Sequence, residues 1–203
     1  MNMLEKLKIR LADWRDREYI QPMRRKLGRP VDGGLYELLN WPTHHAHIAM
    51  VDVAPVGFTS VLLNMSGDAD DIGTVVNEEY RQHGVASELR YTQIRDLSLM
   101  GYGRLFCAAP SDDAAAVAMC RAHFGDPIAE ITSAYLPKHL YFGATLTSIE
   151  DRLIASGVRR PFPLSPINQD RLLKKLDRAK VEATNIRALG DFNLRKAYIR
   201  DEN

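Results

Sequence analysis

The order of strand-like and helix-like segments predicts an α/β (α+β) fold: a mixed sheet flanked by helices, with a helical extension at the C-terminus. Three observations carry this. Strand-like runs gather before residue 77 and do not alternate strictly with helices, as a doubly wound domain would require. A glycine-bearing loop, Tyr80-Arg81-Gln82-His83-Gly84-Val85-Ala86, joins a strand pattern to a helix pattern. Much later, a proline-rich segment at residues 160–166 separates the main body from an amphipathic stretch.

Along the chain, His47 to Val53 reads as a strand, and Pro55-Val56-Gly57-Phe58 leads through a turn into a second strand ending at Leu63. Ser66-Gly67-Asp68-Ala69-Asp70-Asp71 reads as a polar turn, and Ile72 to Val76 as an apolar strand. A helix pattern from about Ser87 to Met100 stops at Gly101-Tyr102-Gly103. Arg104 to Ala108 is a short strand, and Asp112 to about His123 is an Ala-rich helix. Thr147 to Ala155 forms a further helix that Gly157 ends. Beyond it, Pro161, Pro163 and Pro166 hold an extended linker, because proline fixes φ and biases its predecessor away from helix. Ser165 or Asn168 then caps a helix over roughly Gln169 to Ala183, with Leu172, Leu173, Leu176 and Val181 at helical spacing. The expected division is therefore a first domain over residues 1–145 and a basic helical extension over 146–203. The apolar stripe of the extension packs on its own chain or on a second subunit.

At 203 residues with 45% hydrophobic content, the chain is long enough to bury a core and carry an appendage. No apolar run approaches the roughly 18 residues of a membrane span, and residues 1–10 lack the apolar stretch of a signal peptide. A cytoplasmic protein without a membrane partner is expected. Cys107 and Cys120 fall in core elements and offer neither a disulfide framework nor a metal spacing, which suits a reducing compartment. Net charge is +1, which gives no support to nucleic-acid binding in bulk. The basic half is the tail: residues 151–203 hold 12 Lys and Arg against 7 Asp and Glu, the remainder 15 against 19.

The loop from Tyr80 to Ala86 carries the most chemistry. A strand-to-helix junction points free backbone N–H groups at one spot, and the helix dipole adds roughly half a positive charge there. Phosphate binds such a place, and here a pyrophosphate is expected. Gly84 and Ala86 keep side-chain bulk away, and Arg81 puts a cation at the rim.

The spacing Arg81-x-x-Gly84-x-Ala86, after Val76-Asn77-Glu78-Glu79-Tyr80, resembles the (Arg/Gln)-x-x-Gly-x-(Gly/Ala) signature of the GNAT family of acetyl-CoA-dependent N-acetyltransferases. Over about residues 7–142 the rest of the chain resembles that family in order. Leu7 to Asp13 looks like its first strand and exit, the segment to about Leu27 like its first helix pair, and Pro55 to Phe58 like its hairpin into the third strand. The resemblance implies a mixed, mostly antiparallel central sheet. It implies acetyl-CoA as cosubstrate, with Val75 and Val76 meeting the pantetheine arm through their main chain, a backbone N–H near Val76 stabilising the oxyanion, and Arg81, Gln82, His83, Gly84, Val85 and Ala86 holding the pyrophosphate. An amine-bearing acceptor, small molecule or protein, would complete a ternary complex.

A lysine-like amine has a pKa near 10.4 and must lose a proton before it attacks. Asp70 and Asp71, directly before the cofactor strand, are the nearest carboxylates along the chain, and Asp71 is the candidate base. The family's Asn-x-x-Ala-x-x-Leu-Tyr-x-x-x-Gly-Phe motif places a proton-donating tyrosine on the last cofactor-side helix. Here tyrosine is missing, its place falls on Met119 or Cys120, and only Cys120 can donate a proton. The Asn position falls on Asp112 or Asp113. His44, His45 and His47 lack acidic or thiol partners at a metal-binding spacing, so no metal is expected; His44 or His45 would instead border the acceptor pocket, with Trp41, Tyr36 and Tyr19 as aromatic walls. Two functions follow: an N-acetyltransferase, or an impaired relative kept as a binding or assembly module, such as a subunit of a virion.

Overall fold

The computed structural model describes residues 3–26, 44–64, 66–133 and 136–158. The expected linker and tail helix, and the aromatic residues Tyr36 and Trp41, lie outside the described residues. The strands are β1 (Leu7–Leu11), β2 (His44–Val51), β3 (Ala54–Leu63), β4 (Asp68–Val76), β5 (Arg104–Pro110), β6 (Ala129–Ser133) and β7 (Leu136–Thr145). The helices are α1 (Met3–Lys6), α2 (Arg17–Lys26), α3 (Val85–Leu99), α4 (Ala114–Phe124) and α5 (Leu146–Ala155). One sheet takes the strands in the order β1-β2-β3-β4-β5-β7-β6. Every neighbouring pair is antiparallel except β4 and β5. The mixed, mostly antiparallel sheet is therefore as expected.

Both faces of the sheet are covered. Ala46 and Ile48 of β2, Phe58 of β3 and Val75 of β4 pack with Ile20 and Met23 of α2. On the other face Ala49 and Val56 meet Val85 and Leu89 of α3. Burial on both faces is why β2 reads as a near-continuous buried run from His44 to Ala49 instead of an alternating one. The largest cluster joins α3, α4, α5, β5 and β7 through Ile94, Leu97, Leu105, Phe124, Phe142, Ile149 and Leu153. At about 25 cal/mol per Å² of apolar surface buried, such clusters supply most of the drive to fold.

Several expected boundaries move, each for a reason of tertiary contact. The acidic run is strand from Asp68 onward, because the parallel register sets Asp68 opposite Arg104, whose Nε and Nη2 donate to its two carboxylate oxygens at 2.9 Å each. Asp70 likewise accepts from Asn64 Nδ2 at 2.7 Å. Residues 126–145 carry no element in the sequence reading, yet β6 and β7 form there and extend the sheet beyond β5. The division at 145/146 is corrected too. Leu146, Ile149 and Leu153 of α5 lie in the main core, so the first compact unit runs from Met1 to Pro163.

Candidate functional site

The parallel pairing of β4 and β5 consists of Asp68↔Arg104, Ala69↔Leu105 and Asp70↔Phe106. β4 then continues to Val76 beside β3, and β5 to Pro110 beside β7. From Asp71 and Cys107 onward the two strands are no longer partners, and the sheet forks. A β-bulge marks the root of the fork: the β3–β4 register passes from Ser60↔Gly73 to Val61↔Asp71, leaving Ile72 without an opposite residue. Gly73 takes φ 145°, a conformation that L side chains rarely adopt, and its N–H donates to Asp71 Oδ1 at 3.2 Å.

A buried polar network clamps this bulge. Arg90 of α3 is 0% exposed, and its Nη2 donates to Asp71 Oδ2 at 2.5 Å and to Thr74 Oγ1 at 3.0 Å. Its Nη1 donates to Gln93 Oε1 at 2.5 Å; Gln93 Nε2 donates to Thr59 Oγ1 at 3.0 Å; and the Thr59 and Thr74 hydroxyls meet at 2.8 Å across the strands. Burial works against the guanidinium charge, but the Asp71 carboxylate outweighs it and holds Arg90 above the ordinary arginine value. The expectation of Asp71 as a base on the acceptor side does not fit this placement. Its side chain is 6% exposed and faces α3 as the counter-ion of a buried cation, so taking up a proton would leave Arg90 unpaired.

Cys107 is the first residue of β5 past the last pair with β4, and its Sγ lies 3.5 Å from Cys120 Sγ of α4. Both thiols are free and 4% exposed. The shared hydrogen bond pushes the Cys107 thiol up and the Cys120 thiol down, and the charge of Arg90 favours the Cys120 thiolate further. One turn on, His123 Nε2 sits 3.3 Å from Ser87 Oγ in the first turn of α3. Burial, and then the charge of Arg90, pull the His123 imidazole down to about 3. It is a neutral ring.

At the far end of β4 comes the loop. Arg81, Gln82, His83 and Gly84 are exposed, Ala86 is half-buried, and Val85 is buried, so Val85 offers only its main chain. Gln82 and Gly84 have positive φ, 62° and 84°, and Gly84 caps α3 without a side chain. A Cβ on Gly84 would come only within 3.7 Å of Leu4, so the demand for glycine is conformational. Arg81 Nε donates to the Val76 carbonyl at 3.1 Å and folds the loop back onto the end of β4. The first-turn N–H groups of α3 open toward this exposed loop. Val75 turns its side chain into the core, and Val76 is half-buried.

The histidines are corrected most. His44, His45 and His47 are 1%, 0% and 1% exposed within β2, so His44 and His45 do not border an acceptor pocket. Asp96 of α3, which the sequence reading passed over, lies beneath His45 and His47. Its Oδ2 is 2.8 Å from His47 Nε2 and 3.5 Å from His45 Nε2. Burial alone would raise the Asp96 carboxyl; hydrogen bonds from the two imidazoles overcome it and hold that carboxyl well below the usual carboxylate range. The three groups could in principle take a metal ion. A metal on Nε2 would put the ring proton of His47 on Nδ1, which is buried with no hydrogen-bond partner among the described residues. With the proton on Nε2 the carboxylate accepts it, and the triad is a strap between β2 and α3. A chain-distant Asp gives no local signal.

Among the described residues no helix is long and apolar enough to cross a membrane. The family model described as "Acetyltransferase (GNAT) family" matches residues 9–125. No curated protein matches the chain. Among solved structures, the ribosomal-protein-S18-alanine N-acetyltransferase from Escherichia coli is similar at 12% identity and TM-score 0.61, covering 78% of this chain and 99% of its own. A spermidine N-acetyltransferase mutant from Vibrio cholerae is similar at 10% identity and TM-score 0.61, with coverage of 73% and 98%. The PaiA N-acetyltransferase from Thermoplasma acidophilum in complex with coenzyme A is similar at 10% identity and TM-score 0.57, with coverage of 68% and 98%. At these identities the likeness is one of fold.

Proposed function

The chain belongs to the acetyltransferase (GNAT) family, and from that premise we propose that it transfers acetyl from acetyl-CoA to a primary amine by direct attack in a ternary complex. One observation carries the reading: the fork between β4 and β5 begins at a bulge and runs along β4 to an exposed loop at the mouth of α3. Diphosphate at that mouth gains from the dipole and the first-turn N–H groups. The arm of the cofactor lies along Asp71 to Val76 as an added strand would, using main-chain groups that the sheet leaves over. The thioester then reaches the bulge. A backbone N–H of β4, between the bulge and Val76, meets the oxygen on which negative charge develops.

In this reading the Cys120 thiol, in contact with Cys107 at the root of the fork, protonates the leaving thiolate. Asp71 is kept out of that role and out of deprotonating the amine by its ion pair with Arg90. The acceptor is a primary amine of a small molecule or a protein. The named relatives act on an alanine of a ribosomal protein and on spermidine, so an alanyl peptide and spermidine belong in the first panel of amines.

The test is coenzyme A release against that panel, together with acetyl-CoA binding by the Gly84→Glu variant. The variant puts bulk and negative charge at the phosphate and a side chain at φ 84°, which costs roughly 1–2 kcal/mol of backbone strain. Binding should be lost while the far-ultraviolet circular dichroism stays that of a folded protein; undiminished affinity would show that the loop is not the site. A second reading, a family member kept for binding or assembly, has one observation on its side: the proton donor's usual tyrosine is absent from α4. Acetyl-CoA binding with no transfer to any amine would favour it.

A further inference from the structure

Cys107 and Cys120 are the only cysteines of the chain, they lie on different elements, and their sulfur atoms are 3.5 Å apart at the root of the fork. We propose that they form a reversible intramolecular disulfide, a two-electron redox site whose oxidant is a peroxide. A disulfide needs sulfur atoms about 2.05 Å apart, so roughly 1.5 Å of closure, shared by two side chains, separates the dithiol from the bond. Rotation about the Cα–Cβ bonds of the two cysteines moves sulfur on that scale.

The surroundings assign the order of steps. Cys120 shares its neighbourhood with the buried Arg90 guanidinium and accepts the hydrogen bond from Cys107, so it is the thiol that gives up its proton more readily and supplies the attacking sulfur. The Cys120 thiolate attacks the peroxide, the O–O bond breaks, and with one proton it becomes a sulfenic acid as water leaves. Cys107 then attacks the Cys120 sulfur, the S–O bond breaks, the S–S bond forms, and a second water leaves. Peroxide is reduced and two thiols are oxidised. A small neutral oxidant suits sulfur atoms at the foot of the fork that are 4% exposed.

Closure would remove the S–H of Cys120 and tie α4 to β5 where the thioester lies. Loss of acetyl transfer with unchanged acetyl-CoA affinity is the expected consequence, and it alone rests on the transfer reading; the redox site stands or falls on thiol chemistry.

The experiment treats the folded full chain with hydrogen peroxide, quenches, denatures and titrates thiols, with intact mass measured in parallel. Two thiols should fall to none, the monomer should lose two hydrogen atoms, and dithiothreitol should restore both. The Cys107→Ser variant, lacking the resolving sulfur, should trap a sulfenic acid on Cys120 with dimedone, whereas Cys120→Ser should leave Cys107 unmodified. Retention of both thiols, linkage between chains, or oxygen added to Cys120 with Cys107 still free in the unaltered protein would each overturn the proposal. Faster oxidation of Cys120→Ser than of Cys107→Ser would overturn the assigned order.

Discussion

A guanidinium without solvent has to find its counter-charge inside the protein, and Arg90 finds it in Asp71. Removing one partner of a buried pair typically costs 3–5 kcal/mol, because the other charge stays behind. The same charge acts on its neighbours: it favours thiolate at Cys120 and, with burial, keeps His123 neutral. His123 therefore sets a pH dependence. Its folded value of about 3 lies below the roughly 6.5 of an unfolded histidine, so below pH 6.5 the unfolded chain binds the proton more readily. Its contribution is complete above pH 6.5 and shrinks as pH falls toward 3. Denaturant melts at about pH 7.5 and about pH 5 should differ by about 2 kcal/mol on this account, and His123→Gln should abolish that part of the difference. Asp96 works at a lower pH. Its carboxyl is depressed, so its contribution is full above about 4 and is lost only in stronger acid, below the range over which the His123 melts are compared.

Each helix at the site is positioned by its first turn. Asp113 caps α4 by accepting from Ala116 N–H at 2.9 Å, and Thr145 caps α5 by accepting from Ser148 N–H at 3.2 Å. Asp113→Ala should destabilise the protein by about 1 kcal/mol in urea unfolding, since one orphan donor loses its acceptor. A drop in transfer beyond what that loss explains would mean that the cap also sets where Cys120 stands. α3 begins differently, with Gly84 and no side-chain cap, which leaves its first N–H groups for a ligand. That start was readable from Arg81-x-x-Gly84-x-Ala86, because only local conformation is involved. The bulge at Ile72 was not, since a bulge is a mismatch between two strands and neither strand alone records it.

For the whole molecule, a ligand that binds only the folded chain stabilises it by mass action. Acetyl-CoA at about one hundred times its dissociation constant should add about 2.7 kcal/mol and raise the thermal midpoint by roughly 5–11 °C for a chain of this size; no shift would tell against cofactor binding. By itself the sequence determined the order of the elements from β1 to α4 and the glycine turn that opens α3, because strand and helix patterns and turn chemistry are local properties. Tertiary structure decided what meets beneath the sheet. It set Asp71 against Arg90, Asp96 against His45 and His47, and Cys107 against Cys120, pairs 19, 49 or 51, and 13 residues apart, and folded α5 into the core. In such pairs the partner's identity depends on which element covers which face, and dehydration gives a buried charge or thiol its chemistry only once that cover is in place.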